Sequence, residues 1–421
     1  MTSSRECFVY VQLPGSLKVV ACGKYVRQVL RDGSALGRFV YGRSYRDRDD
    51  AVEIDPYNLP LAAREYNTAK LRGVFGALRD SAPDAWGRYV IERFAGRTDL
   101  DEIDYLLESP EDRAGALSFG RAATHPAPSH QFNRIIHLGE LRHAARVLEE
   151  DLDDSVLPQL EQLINPRTSI GGARPKNVVE DESGLWIAKF PSKRDRWTNA
   201  AAEAGLLTLA GLCGIRVPKV RVESFLGESI LLVKRFDREK VEGGYLRHRM
   251  VSALTMLDAD DGGTDLTGWS YVLLADELKR WSSRPDDDRV ELFRRMVFNA
   301  LVSNIDDHPR NHAVFAAGQD WRLSPAYDLT PSPSLSLERR DLALICGLEG
   351  RAARRSNLIS QAGRFGLSTD DANSIIDEIR DVVAARWESE VRRFGGTDRD
   401  SELIRPAFLY AGFEYPSSDS D

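Results

Sequence analysis

The succession of apolar patterns along this chain predicts an α+β fold, strand-rich through its first half and mostly helical from about Val251 onward. Two observations carry that expectation. Short apolar runs at Phe8-Val-Tyr-Val-Gln-Leu, 17–26, Val178-Val179, 185–190, 220–222 and 229–233 are bounded by Gly, Pro and Ser, as strands are. Later the period changes: Leu292, Met296, Val297, Ala300 and Leu301 recur at helical spacing across 290–302. A length of 421 residues sets an expectation of two to three domains. The expected division is a small β/α amino-terminal domain over 1–145, a β-rich lobe over 146–250 and a helical lobe over 251–421.

Taken in order, the opening strands lead to helical stretches expected near 60–65 and 86–94, with Trp86, just after Pro83-Asp84, as a core anchor at a helix start. The segment 121–130 carries Pro126 and Pro128 and reads as a loop crossing between units. A helix over about 138–150 follows. Glu182-Ser183-Gly184 is a turn between two strands, and Leu206, Leu207, Leu209, Ala210 and Leu212 supply the apolar positions of a further helix. Pro285-Asp-Asp-Asp-Arg289 reads as a solvated loop leading into a helix, with its carboxylates near the positive helix end. The acidic tail at 415–421 is expected to be disordered.

Composition narrows the function by exclusion. Hydrophobic content of 42% and charged content of 29% are those of a globular protein. The longest apolar runs, such as 230–233, are far too short to span a bilayer, so no membrane association is expected. The first residues lack the apolar core of a signal peptide. Cys7, Cys22, Cys213 and Cys346 are scattered, with no CxxC pair, which fits a reducing cytoplasm. A formal net charge of −8 argues against broad non-specific DNA binding.

Chemistry concentrates at Asn304-Ile-Asp306-Asp307-His308-Pro309-Arg310-Asn311 and Pro325-Ala-Tyr327-Asp328-Leu329. An Asp, an Asn five residues on and a second Asp shortly after is the spacing that protein-kinase-like phosphoryl transferases use. One carboxylate must reach the hydroxyl being phosphorylated, while an amide oxygen and a second carboxylate hold Mg²⁺ on the nucleotide phosphates. Mg²⁺ takes hard oxygen donors and only one or two carboxylates. A run of Asp, Asn, His and Pro is by itself also an ordinary polar loop. Its setting favours the chemical reading: a buried helix delivers the loop, and a hairpin expected at His312–Ala316 and Trp321–Leu323 follows it. His308 and His312, four apart, do not read as a helical zinc pair, because Pro309 lies between them.

A nucleotide-binding half is expected upstream. Thr168-Ser-Ile-Gly171-Gly172-Ala173-Arg-Pro-Lys176 is a glycine-bearing loop whose backbone amides could approach phosphate, although by itself it is a weak signal and a plain turn is the stronger reading of those residues. Ile187 and Lys189 share a strand face by the two-residue period, which would let one strand cover adenine and reach the phosphates. An edge lysine reaching water is the other reading. Glu203 on the next helix either pairs with Lys189 or is solvated. Asp237 either meets a ribose hydroxyl or forms a strand-end ion pair with Arg238.

These motifs together resemble the HipA family of bacterial serine/threonine kinases, the toxin half of HipA–HipB toxin–antitoxin pairs. The carrying stretches are 169–176, Ile187-Ala-Lys-Phe-Pro191, Val233-Lys-Arg-Phe-Asp-Arg238, Asp306–Asn311 and Tyr327-Asp-Leu329, and Gly76–Arg88 resembles the family's amino-terminal domain. The resemblance implies a bilobal protein-kinase-like fold using ATP and Mg²⁺. It implies Asp306 as catalytic base and Asn311 and Asp328 as metal ligands. Ser169, Gly171, Gly172, Ala173, Lys176, Ile187, Lys189, Lys234, Phe236, Asp237 and His308 would form the nucleotide-binding set, Lys234 and Phe236 through hinge backbone groups. Ser169 matches the family's autophosphorylation site. A HipB-like helix-turn-helix antitoxin is the implied partner, with DNA contacted only through it, and an aminoacyl-tRNA synthetase is the implied protein substrate. Lys234 in the hinge, and Asp307 and Pro309 in the catalytic loop, depart from the family pattern. A small-molecule phosphotransferase, or a regulatory subunit of a HipB-like repressor, are the alternatives.

Overall fold

The computed structural model describes residues 3–109, 112–124, 133–134, 138–149, 174–260, 266–333 and 336–415. The chain forms two compact units, each assembled from separated stretches. The first comprises Met1–Phe190, Arg235–Val251 and Phe315–Trp321, the second Pro191–Lys234, Ser252–Val314 and Arg322–Asp421.

In the first unit the strands run in the order Glu65–Thr68, Ala35–Tyr41, Val19–Val29, Ser3–Gln12 and Leu117–Gly120, all antiparallel. A bulge falls between Val9 and Tyr10. Before it Cys7 and Val9 alternate inward; after it Tyr10, Val11, Gln12 and Leu13 are all buried, so both faces of this strand become covered. Edge-to-face contacts among Tyr25, Phe39, Tyr41 and Phe75 fill the core. The expected helix near 86–94 is Ala85–Ala95, started by Asp84, whose carboxylate accepts from Gly87 N. Trp86 packs with Val90, Ala144 and Val147, the last two from the helix Leu138–Glu149.

The helix expected near 60–65 does not form; a bend there leads into the strand Glu65–Thr68. Side chains take the first carbonyls that a helix there would have used: the Tyr41 hydroxyl donates to Leu59 O and the Tyr66 hydroxyl to Pro60 O. The proline-bearing 125–130 and the tail 416–421 lie outside the described residues.

Two hairpins, one in each unit, carry stretches expected to bind nucleotide. In the first, Lys176–Asp181 pairs with Gly184–Lys189, with Val178 opposite Ile187 and Lys176 opposite Lys189. Trp186 and Ala188 are buried while Ile187 and Lys189 are half-buried on the other face, as the two-residue period required. In the second unit Val220–Phe225 pairs with Glu228–Lys234 around Leu226-Gly227, both with positive φ.

The helices of the second unit carry its core. Tyr271–Trp281 packs on Pro285–Leu301, which buries Leu292, Phe293, Met296, Val297, Phe298, Ala300 and Leu301. Each large apolar side chain among these contributes about 1.5–3 kcal/mol of burial before entropy is set against it. The helix Asn199–Leu212 crosses Thr369–Arg393 closely at Gly205, where a Cβ would stand 2.9 Å from the Val391 backbone. Pro285–Arg289 is the first turn of its helix rather than a solvated loop. Asp288 within it is fully buried, accepting from Arg216, Arg322, Ser282 Oγ and Leu323 N. Burial would raise the Asp288 carboxyl, yet those donors hold it below the usual carboxylate range. Among the described residues no helix is long and apolar enough to cross a membrane.

Candidate functional site

The helix Pro285–Leu301 ends at a chain reversal that aims the following loop. Ser303 sits at φ 49°, its Oγ donates to Ala407 O, and the buried Arg340 guanidinium binds that same hydroxyl and carbonyl. Leu409 N donates to Leu301 O at 2.8 Å. The loop therefore starts from a fixed point.

Within it, neighbouring residues take opposite roles. Asp306 is exposed, while Asp307 is buried. Asp306 O accepts from His308 N at 2.8 Å and from Asn311 Nδ2 at 3.2 Å. The second bond occupies the amide nitrogen of Asn311 and leaves its oxygen as the acceptor end, the arrangement a metal ligand needs. Asp307 turns inward, where its Oδ2 takes the Tyr271 hydroxyl and lies 2.6 Å from His312 Nε2. Asn299 Nδ2 donates to the Tyr271 oxygen, and Asn304 Nδ2 to Asn299 Oδ1, both at 3.1 Å. Burial would raise the Asp307 carboxyl, but His312 and the Tyr271 hydroxyl hold it below its ordinary value. Burial, then the Asp307 charge, keep the Tyr271 phenol neutral far above its ordinary range.

Asp328 arrives on a loop pinned at four points. Leu323 N reaches Asp288, Ser324 O accepts from Arg295, Ala326 N donates to Arg216 O, and the Tyr327 hydroxyl donates to Arg310 O at 2.7 Å. The last bond joins the Asp328 loop directly to the Asp306–Asn311 loop. Asp328 itself has φ 60°, a left-handed conformation that a non-glycine residue holds only when its surroundings impose it. Asn311, Asp307, His312 and Tyr327 also line one small cavity with Arg295 and Asn299. Among the described residues, no group of three or more His, Cys, Asp or Glu is placed to hold a metal. Asn311 and Asp328 would supply two hard oxygens, which fits an ion that draws its remaining ligands from phosphate and water.

The residues expected to bind nucleotide fare unevenly. Ser169, Gly171, Gly172 and Ala173 lie outside the described residues. Lys176, expected in the phosphate loop, is instead buried with its Nζ 2.8 Å from Asp84 Oδ2, so its charge serves the helix start at Asp84. Asp237, expected at a ribose hydroxyl, is fully enclosed. Its carboxylate accepts from Arg235 Nε and Nη2, Arg238 Nη1 and Gly115 N. Burial would raise it, and the two guanidiniums drive it well below the carboxylate range. The ion-pair reading of Asp237 is the one observed. Lys234 N donates to Lys219 O, which commits that amide to the strand pair. Phe236 sets its ring edge-on to Phe315, centroids 5.8 Å apart. His308 is half-buried beside Trp269, and its Nδ1 makes no hydrogen bond among the described residues. Ile187 and Lys189 occupy one face of their strand, and Glu203 is buried on its helix.

Tyr271, Asn299, Asp307 and His312 were not anticipated as a group. Their one sequence signal is a tyrosine and an asparagine on inward positions of otherwise apolar helices, where a buried polar group requires a partner.

Comparison with known proteins settles the family. Residues 168–387 match the profile described as the HipA-like C-terminal domain, and residues 17–120 match the HipA N-terminal domain. The chain belongs to the HipA family. The protein "Putative kinase Y4mE" of Sinorhizobium fredii is 25% identical over 338 residues, 73% of this HipA-family chain and 75% of that protein. A Haemophilus influenzae protein under the same kinase designation is 25% identical over 232 residues, 50% of this chain and 66% of its own length. The HipA of Shewanella oneidensis, solved with HipB and operator DNA, aligns with a TM-score of 0.68 at 17% identity, covering 96% of this chain and 98% of that one. That likeness is one of fold: a protein-kinase-like α+β fold preceded in sequence by a HipA amino-terminal domain.

Proposed function

We propose that this HipA-family protein is an ATP- and Mg²⁺-dependent serine/threonine protein kinase that arrests growth as the toxin of a toxin–antitoxin pair. The observation that carries the reading is the Tyr327–Arg310 bond, which joins the loop bearing exposed Asp306 and Asn311 to the loop bearing Asp328. Asp306 accepts the proton of the attacking hydroxyl. Mg²⁺, when bound, neutralises charge on the transferring phosphoryl group. Asn311 turns its oxygen toward that role because its nitrogen is held by Asp306 O. Lys189 is assigned to the ATP phosphates, Ile187 to the adenine face, and Ser169 to autophosphorylation, all by family resemblance. The resemblance also suggests an aminoacyl-tRNA synthetase as substrate and a HipB-like antitoxin as partner; the Shewanella protein was solved with HipB and DNA.

The test is transfer of radiolabel from ATP by purified wild type and Asp306→Gln, with and without Mg²⁺. Label is expected in protein with wild type alone, and loss of a general base costs about 10²–10⁴-fold. Label in a small metabolite would make the protein a small-molecule phosphotransferase. Equal activity in the variant would overturn the mechanism. Phosphoproteomics after brief expression, wild type against the variant, identifies the substrate.

A further inference from the structure

The segment after Lys234 is fastened to the amino-terminal HipA domain. Arg235 Nη1 donates to Asp112 O and its Nη2 to Arg113 O; Arg238 Nη2 donates to Arg113 O as well. Asp237 Oδ2 accepts from Gly115 N at 3.0 Å. Gly115 stands at φ 74°, a left-handed turn that brings its amide to the carboxylate. The fastening continues downstream, where Arg247 Nε and Nη2 reach Gly115 O and Leu117 O, and Gln12 Nε2 donates to Tyr245 O. Phe236 lies between the two anchored residues, Arg235 and Asp237.

A buried cluster of this kind contributes little net stability relative to apolar packing, but its charge-assisted bonds fix direction. We propose that the amino-terminal domain acts in cis as a positioning device for the nucleotide: Asp112, Arg113 and Gly115 hold Arg235 and Asp237, and these set the Phe236 backbone where it meets the adenine base. The proposal rests on the reading of Phe236 as a hinge residue. Asp237 is thus a positioning residue that touches no ligand.

The test uses the full-length protein and two probes, Mg·ATP and inorganic tripolyphosphate with Mg²⁺, the second lacking the base. Asp237→Asn is expected to weaken ATP affinity and raise KM for ATP by about tenfold or more, the worth of a lost charge-assisted bond. Tripolyphosphate affinity and kcat should stay within about twofold. Arg249→Lys, which disturbs the bonds to Glu53 and Gly318 in the same unit, serves as the stability control and should lower the melting temperature without separating the probes. Should Asp237→Asn not accumulate folded, Arg235→Lys, which keeps the charge and loses the fork, carries the same expectation. Equal loss of both probes, or no loss of ATP affinity, overturns the positioning role. Phe236→Pro, which removes the amide, separates the two failures. If it weakens ATP binding while Asp237→Asn does not, the anchoring falls alone; if neither does, the hinge reading falls and takes the proposal with it.

Discussion

Replacing Asp307 by Asn should disable the protein without unfolding it. The wild-type carboxylate receives two buried donors on one oxygen, the Tyr271 hydroxyl and His312 Nε2. An amide oxygen can replace that acceptor, but the charge is lost, and an NH₂ now stands where the second carboxylate oxygen was. Losing the buried carboxylate charge that these bonds stabilise and leaving a donor poorly matched costs about 3 kcal/mol. Native domains hold about 5–15 kcal/mol, so the fold survives. At about 2–4 °C per kcal/mol for a unit of this size, the melting temperature should fall by about 6–12 °C. Function should suffer more than stability, because Asp306 and Asn311 flank the residue lost. If the loop's active arrangement is the part that loses those 3 kcal/mol, turnover drops by about 100-fold. Differential scanning calorimetry and single-turnover phosphotransfer, run at a temperature where the variant is fully folded, read the two effects separately. A variant with wild-type turnover and wild-type melting would refute the argument that the inward Asp sets the outward one.

Three further outcomes follow from particular contacts. Asp328→Gly should melt at or slightly above wild type, since glycine relieves a left-handed strain of about 1–2 kcal/mol, yet it should lose Mg²⁺-dependent nucleotide affinity in calorimetric titrations with and without the metal. Asp112, buried with one oxygen unbonded among the described residues, is pushed up to about 6 by burial, offset in part by Arg235 and Arg238. The unfolded chain releases that proton near its ordinary value of 3.8 and the folded chain near 6, so wild type loses stability as pH rises between the two. Asp112→Asn should therefore gain on the order of 2–3 kcal/mol relative to wild type from below pH 4 to pH 7 in urea unfolding. Gly205→Ala should cost about 1–3 kcal/mol in the same assay, because the added carbon meets Val391 backbone that cannot turn aside.

What the sequence made legible was whatever depends on neighbours along the chain. The alternation that puts Ile187 and Lys189 on one face, the Asp84 start of the Trp86 helix, and the helix that delivers Asp306 are all local, and each is found as expected. What escaped depends on partners far away. Asp237 and Lys176 were assigned to nucleotide because a charged residue near a strand end has two possible partners, and the competing ones, Gly115 and Asp84, lie more than ninety positions off. The absent helix at 60–65 failed for a related reason, since the Tyr41 and Tyr66 hydroxyls take Leu59 O and Pro60 O, the carbonyls its first turn would have used. Asp307 looked like a departure in a loop, and only the fold shows Tyr271 and His312 waiting for it.

The backbone twist at Asp328 also constrains how this chain can change over generations. Few residues tolerate that conformation, chiefly glycine, asparagine and aspartate. Of the three, aspartate alone supplies a negative charge. Asparagine or glycine could hold the same backbone without the carboxylate, so the turn by itself does not call for an aspartate.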